Sequence, residues 1–453
     1  MFKNNSPKRE NVKFSIFTFG CKTNQSESDY IARDLARSGF KWAGKDEIPD
    51  FVIVNTCTVT SASDRKARHL IRKLKKENPS SMIIVAGCFV EFNKSFFREE
   101  NIDYFFENKN KDKITGFIKD YFLNEPYDGD FNIKKDSLSS GELFTIKHTR
   151  QLIKIQDGCE QYCAYCIVPV VRHGYSSQDP DIIINMINEV CQAGIFEVVL
   201  TGIHIGKYGI DFNLGKESHR EVSDLYQLIT AILEKTGIKR IRLSSIEINE
   251  ISDDLIRLIS SEKRIAPHLH IPLQSGSSRI LSQMKRPYNM DYFYERIAII
   301  IKNINQNNFA ALTTDIIAGF PGEDENDFNM TMQALNYIKF SKAHIFKYSP
   351  RKNTEAFSMG NQISEEIKNE RSLKLREAAY TLRTEFLGKN LKKTLEVLVE
   401  KDCEDNDEGS GMSENYIKVY FDSNKYPGKN IKGKIINIKA VSLFKDGIKG
   451  IIV

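Results

Sequence analysis

The stretch "QLIKIQDGCEQYCAYCIVP", residues 151–169, runs from an apolar strand pattern straight into three cysteines, Cys159, Cys163 and Cys166. The spacing is C-x3-C-x2-C, which places three thiols within one short loop. Thiolates this close are metal ligands in waiting. Zinc would need a fourth donor, which His148 or His173 would supply. A [4Fe–4S] cluster held by three thiolates instead leaves one iron open to a ligand from outside the chain. The compact loop and the missing fourth cysteine favour the cluster. Its place, directly after a strand, is where parallel βα barrels collect their chemistry.

Working downstream, six apolar strand candidates recur between 151 and about 350: "QLIKIQDG", "EVVLTG", "RIRLSS", "HLHIPLQSG", "ALTTDIIAGF" and "HIFKYSP". Helical stretches such as "DIIINMINEVCQAG" and "SDLYQLITAILEKTG" separate them. Strands alternating with helices imply a parallel sheet, and six such units predict a partial (βα)6 barrel. Residues 362–388 read as a long amphipathic helix. Beyond it the pattern shifts to short β-like runs, "TLEVLVEKDC", "NYIKVYF", "NIKGKIINIKAVS" and "KGIIV", which predict a small β-barrel. That segment carries Lys425, Lys429, Lys432, Lys434 and Lys439 with no acid between them, either a solvated face or a nucleic-acid surface.

Upstream, "FSIFTFG" (14–20), "FVIVNT" (51–56) and "MIIVAG" (82–87) are strand-like, with helices "NQSESDYIARDLARSGF" and "SASDRKARHLIRKLKKEN" between them. This is a Rossmann-like parallel α/β pattern. A cysteine stands immediately past each strand: Cys21, Cys57 and Cys88. Parallel strands bring those ends to one edge of the sheet, where ligand crevices form. The three cysteines are therefore expected to converge on a second three-thiolate cluster. Residues 123–150, rich in Asp, Gly, Ser and Lys, read as a linker. The expected organisation is an α/β domain over 12–122, a barrel over 145–385 and a β-barrel over 389–453. Cys191 and Cys403 fall outside both patterns and read as structural.

The chain has 453 residues, too many for one hydrophobic core, and 41% of them are hydrophobic. No apolar run approaches the roughly 20 residues of a membrane helix. The first residues, "MFKNNSPKRENVKF", lack a signal-peptide core, so a cytoplasmic protein with reduced cysteines is expected. Net charge is +5, from 65 basic and 60 acidic residues, which permits a nucleic-acid partner without requiring one. The helix over 61–78 carries Arg65, Lys66, Arg68, Arg72, Lys73, Lys75 and Lys76, a solvated face or an RNA contact.

With Tyr165 before the third cysteine, the loop resembles the C-x3-C-x-aromatic-C signature of radical S-adenosylmethionine (SAM) enzymes. The segments "GCKTNQSES", "NTCTVTSASDRKAR", "AGC", "LTGIHIGKYGID", "RLSSIE", "HLHIPLQSGS", "TTDIIAGFPGEDENDF" and "HIFKYSPRKNTEA" resemble, in order, the methylthiotransferases of that superfamily. The resemblance runs from about residue 13 to the C-terminus, where the small β-barrel looks like a TRAM domain, an RNA-binding module. "GCKTNQ", "TGIHIGKYG" and "YSPRKNT" are most similar to the subgroup acting on N6-threonylcarbamoyladenosine beside the tRNA anticodon. After Pro169 the chain departs from the family pattern. Arg172 is kept, His173 stands at a glycine position, and Ser176 replaces a second arginine.

The resemblance implies two [4Fe–4S] clusters, one on Cys21, Cys57 and Cys88 that holds or delivers sulfur, one on Cys159, Cys163 and Cys166 that binds SAM and generates a radical. It implies SAM contacts from Tyr165, Thr201, Gly202, Ser244, Glu247 and Gln274. A radical is apt because an aromatic C–H resists acid and base at neutral pH, and the cofactor carries that step. The implied partners are the anticodon stem-loop of a tRNA and an electron donor such as a flavodoxin or ferredoxin. Three rivals stand beside this reading. They are the same chemistry on an isopentenyl-type adenosine or a ribosomal-protein aspartate, a two-cluster electron carrier with an RNA-binding tail, and a zinc-stabilised RNA-binding protein.

Overall fold

The computed structural model describes residues 11–44, 46–100, 102–123, 149–214, 221–304, 310–402, 408–422 and 430–453. The expected linker, His148, Cys403, Lys425 and Lys429 lie outside the described residues. The chain divides into two compact bodies. The first is Met1–Ile146 with Gly158–Glu160 and Cys166–Gly174; the second is Lys147–Asp157, Gln161–Tyr165 and Tyr175–Val453.

In the first body, strands β1 (Lys13–Thr18), β2 (Lys41–Trp42), β3 (Phe51–Thr56), β4 (Met82–Gly87) and β5 (Tyr104–Phe106) form one sheet in the order β2-β1-β3-β4-β5. Every pairing is parallel. All of "FVIVNT" is buried, as a central strand covered on both faces requires. Its alternate residues serve opposite cores. Phe51 and Ile53 pack with Ile31, Leu35, Ile114 and Phe122, while Val52 and Val54 pack with Ala67, Ile71, Leu74 and Phe89. The order reverses direction between β1 and β3, which makes their carboxyl ends a topological switch point.

The second body contains the predicted partial barrel. Strands β6 (Arg150–Asp157), β7 (Ser176–Ser177), β8 (Glu197–Gly202) and β9 (Arg240–Leu243) form one sheet in the order β7-β6-β8-β9. Strands β10 (His268–His270), β11 (Ala311–Ala318) and β12 (Lys342–Lys347) form another. Parallel bridges Ile241↔Ile265 and Ser245↔His270 join the two. Six parallel strands result, alternating with helices that include Pro180–Gln192, Leu225–Lys235, Met290–Ile304 and Glu325–Ile338. The long helix predicted over 362–388 spans Glu365–Lys389, and the Ser364 side chain accepts a hydrogen bond from the Ile367 N–H at its start.

A closed five-stranded barrel follows, β13 (Thr394–Lys401), β14 (Gly409–Ser413), β15 (Lys418–Phe421), β16 (Ile435–Phe444) and β17 (Gly447–Ile452), ordered β13-β14-β15-β17-β16. It docks on the amino ends of the parallel strands. Arg150 at the start of β6 pairs with Glu400 at 2.8 Å. Arg240 at the start of β9 donates to the Glu396 carbonyl at 3.0 Å, and the His268 ring of β10 packs on Tyr416. Fully buried Arg242 bonds Glu197 at 2.9 Å and the carbonyls of Ser413 and Glu414 at 3.1 Å each. Among the described residues, these contacts gather at the amino ends and along β9, away from the loops that follow the carboxyl ends.

Candidate functional site

In the first body, local backbone geometry brings Cys21, Cys57 and Cys88 together. A glycine at positive φ directly precedes two of the cysteines, Gly20 at 96° two residues past β1 and Gly87 at 107° at the end of β4. A Cβ on Gly20 would lie 2.4 Å from the Cβ of Cys57, and one on Gly87 would lie 2.3 Å from the carbonyl oxygen of Thr56. Only glycine permits such an approach in this backbone region. The Asn24 amide stitches the edge by donating to the carbonyls of Phe19 and Thr56, each at 2.9 Å. Asn108 donates to the Cys88 sulfur at 3.4 Å.

Burial and mutual repulsion hold Cys57 of this triad toward the neutral thiol when no cation is bound. Burial pushes the Cys57 thiol up to about 12, and the neighbouring charges of Cys88 and Cys21 add to the rise against a backbone N–H of Val59 and the Arg172 cation. A bound cation would be needed to hold all three as thiolates. Among the described residues, the three-atom donor groups that close to within 4.8 Å include no cysteine. At least one pair of the three sulfurs therefore stands more than 4.8 Å apart, wider than the roughly 3.8 Å spacing around one tetrahedral zinc.

Segment Cys166–Gly174 is anchored in the same body. Arg172 reaches both Glu27 oxygens at 2.8 and 3.0 Å and the Asn24 oxygen at 2.8 Å, and Lys111 meets Glu27 at 2.6 Å. All these side chains are buried. Gly158, just before Cys159, has φ of 72°, and a Cβ there would strike the Gly174 carbonyl at 1.7 Å. His173 is exposed and Ser176 opens β7. On the basic helix, Arg68 stacks on Phe89 and Phe96 and Arg72 pairs with Glu100, while Arg65, Lys66 and Lys76 are exposed.

In the second body, Cys163 is buried, and the backbone of Ala164 bonds to Met284 and Ala356 at 3.0 and 2.7 Å. Tyr165 packs against a cluster containing Ile280, Met284, Phe320 and Tyr348. Sequence reasoning missed Arg286, whose guanidinium lies 3.5 Å from the Cys163 sulfur and forms ion pairs with Glu247. Burial opposes its charge, but Tyr165, Glu247, Tyr288 and Cys163 hold its pKa above the usual arginine range. Nothing local in "MKRPY" marks that role.

The remaining candidates sit on carboxyl ends as expected. Thr201 is buried at the end of β8. Gly202 also has a local reason to be small. A Cβ there would meet the Gln156 carbonyl at 2.7 Å, and the Gln156 side chain in turn accepts from His204 N–H at 2.7 Å. Ser244 carries a buried hydroxyl with no hydrogen-bond partner among the described residues, an orphan that a bound ligand would satisfy. Gln274 holds φ of 62°, an unfavourable region for a non-glycine residue and one that clusters at functional sites.

The Uncharacterized protein family UPF0004 matches residues 13–107, and the Radical SAM superfamily matches residues 153–335. The chain is 35% identical to the threonylcarbamoyladenosine tRNA methylthiotransferase MtaB of Bacillus subtilis, over 94% of this chain and 93% of that one. It is 32% identical to the MtaB of Thermotoga maritima, covering 96% and 95%, and 30% identical to the tRNA-2-methylthio-N(6)-dimethylallyladenosine synthase of Lawsonia intracellularis, covering 94% and 92%. The radical SAM methyltransferase TsrM of Kitasatospora setae shares the fold at TM-score 0.54 and 10% identity, over 77% of each chain.

Proposed function

The chain belongs to the radical SAM methylthiotransferases, and on that premise we propose that it replaces the C2 hydrogen of N6-threonylcarbamoyladenosine in tRNA, next to the anticodon, with a methylthio group. The observation that carries this reading is near full-length identity to enzymes named for that substrate, at 35% for the Bacillus subtilis protein. The enzyme uses SAM and two [4Fe–4S] clusters. When bound, the cofactors supply the carbon radical that removes an unactivated hydrogen, while the chain supplies position and a shielded site.

The residues divide that work. Cys159, Cys163 and Cys166 hold the SAM-binding cluster, with Tyr165 and Arg286 beside it. Thr201, Gly202, Ser244, Glu247 and Gln274 border SAM at the carboxyl ends of the barrel strands. Cys21, Cys57 and Cys88 hold the second cluster at the switch point of the first sheet. The three segments 12–122, 145–385 and 389–453 serve as sulfur-handling domain, radical domain and RNA-binding barrel. Because the β-barrel sits at the amino ends of strands about 20 Å long, RNA touching both ends spans that distance. The electron donor is a small flavodoxin- or ferredoxin-like carrier, and the setting is cytoplasmic.

The test is mass spectrometry of nucleosides from tRNA bearing threonylcarbamoyladenosine, incubated anaerobically with reconstituted protein, SAM, sulfide and a strong reductant. The expected product is the 2-methylthio derivative, absent in Cys163→Ala. Formation of 5′-deoxyadenosine without that product would overturn the substrate, and repeating the assay on isopentenyladenosine tRNA would then identify the sister activity. Absence of 5′-deoxyadenosine from cluster-loaded protein would overturn the reaction class.

A further inference from the structure

Three adjacent strands of the parallel barrel each present one metal-ligating side chain to a common point: His270 from β10, Asp315 from β11 and His344 from β12. One donor atom from each lies within 4.8 Å of the other two. The register produces this. Asp315 pairs directly with His344, while His270 pairs with Thr313, two residues before Asp315 and on the same face. His270 Nε2 is 3.3 Å from the Asp315 carboxylate, and the His270 and His344 rings stand 5.9 Å apart between centroids.

A hydrogen bond to Thr313 orients the His270 ring. Its Nδ1 lies 2.9 Å from the Thr313 hydroxyl. The same hydroxyl lies 3.1 Å from His268 Nε2 and donates to the Leu269 carbonyl at 3.5 Å. Thr313 thus holds the His270 ring through Nδ1, while Nε2 faces the Asp315 carboxylate. An imidazole fixed by a hydrogen bond through its other nitrogen is the usual arrangement of a histidine metal ligand.

We propose that His270, Asp315 and His344 form a cysteine-free site for a divalent first-row transition ion, with Thr313 as the residue that orients His270. Two imidazoles and one carboxylate suit zinc, cobalt, manganese or ferrous iron, whereas magnesium and calcium prefer oxygen-only sets. Around such an ion neighbouring donors stand about 3–3.5 Å apart. His270 and Asp315 already do, and His344, exposed on β12, closes the set by rotating its side chain.

The experiment uses the full chain with its clusters loaded. The protein is stripped of adventitious metal with a mild chelator, then dialysed anaerobically against Zn2+. Zinc and iron are measured in the same digest, so cluster content is an internal control. The expected result is one tightly held Zn2+ per chain, with affinity lowered at least about tenfold in His270→Ala, Asp315→Asn and His344→Gln while iron per chain is unchanged. Thr313→Val weakens binding by a smaller factor. Co2+ in place of Zn2+ gives visible d–d bands without the sulfur charge-transfer bands that cysteine ligation would add. The proposal is overturned if no zinc is retained, or if His344→Gln and Asp315→Asn retain as much as the parent. That result leaves only a hydrogen-bonded His–Asp pair. His344 is exposed, so His344→Gln decides the matter even where a buried variant fails to fold.

Discussion

Arg286 Nη1 lies 3.5 Å from the Sγ of Cys163, and the same guanidinium is ion-paired to Glu247. A cation that donates to a cluster sulfur stabilises the reduced, more negative cluster. Arg286→Gln is expected to make the SAM-side cluster harder to reduce, read as a more negative midpoint in an anaerobic titration followed by electron paramagnetic resonance. It also strands Glu247, and breaking a buried pair from one side costs about 3–5 kcal/mol. Adding Glu247→Gln removes the stranded charge and should restore the melting temperature without restoring the potential. A single variant with an unchanged midpoint would show that the guanidinium acts only on the fold.

Gly20 decides where Cys57 can stand. A methyl at Gly20 would sit 2.7 Å from the Cys57 sulfur, on a backbone whose φ is 96°. Gly20→Ala is expected to lose the second cluster and the methylthio product while 5′-deoxyadenosine still forms. Gly39→Ala is the control. Its φ is 87°, yet nothing lies within 4 Å of the added carbon, so it carries only backbone strain of about 1–2 kcal/mol. Equal cluster loading in both variants would remove the steric argument.

The charge arithmetic around Glu27 ranks two further variants. One buried carboxylate serves two buried cations, Arg172 and Lys111. Arg172→Met leaves a neutral Lys111–Glu27 pair. Glu27→Gln removes the carboxylate that both cations share, so it should be the more damaging, by about 3–5 kcal/mol in thermal or denaturant unfolding. Burial already holds Lys111 below the usual lysine range. In Glu27→Gln the lysine can shed its proton, so the penalty should shrink as pH rises. The reverse ranking of the two variants would sink this account.

Much of this was legible in the sequence because each signal was local. The cysteines follow apolar runs directly, and parallel strands carry them to one edge without further information. The shift from helical to alternating patterning near residue 390 announced the second barrel. Signals that depend on partners were not legible. Strand β14, "GSGMS", has no strand-like composition and exists because β13 and β15 bond it from both sides. The edge strand β2 has two residues, too few for a period. Arg286 lies 123 positions from Cys163, and nothing in the intervening sequence links them. The reading of the basic helix as an RNA face is narrowed by Arg68 and Arg72, whose charges are engaged within their own body.

Glu414 stands where the C-terminal barrel meets β9, and its buried carboxyl is expected to make stability depend on pH. One of its carboxylate oxygens is buried without a hydrogen-bond partner among the described residues. Burial raises its pKa from 4.5 to about 7, with Glu396 adding to the rise and Arg240 and backbone N–H groups opposing it. The folded state therefore keeps this proton over a range in which the unfolded chain has released it. The stability it contributes is complete below the unfolded value of 4.5 and is lost as pH rises through about 7. The whole window is worth at most about 3 kcal/mol. Glu414→Gln mimics the protonated form at every pH. It should melt close to the parent below about pH 4.5 and above it near pH 8.5, with the difference opening between about 4.5 and 7 and staying flat beyond. Because other groups titrate alike in both proteins, the difference between the two curves isolates this carboxyl, and a gap that stays constant with pH would show that Glu414 is ionised throughout.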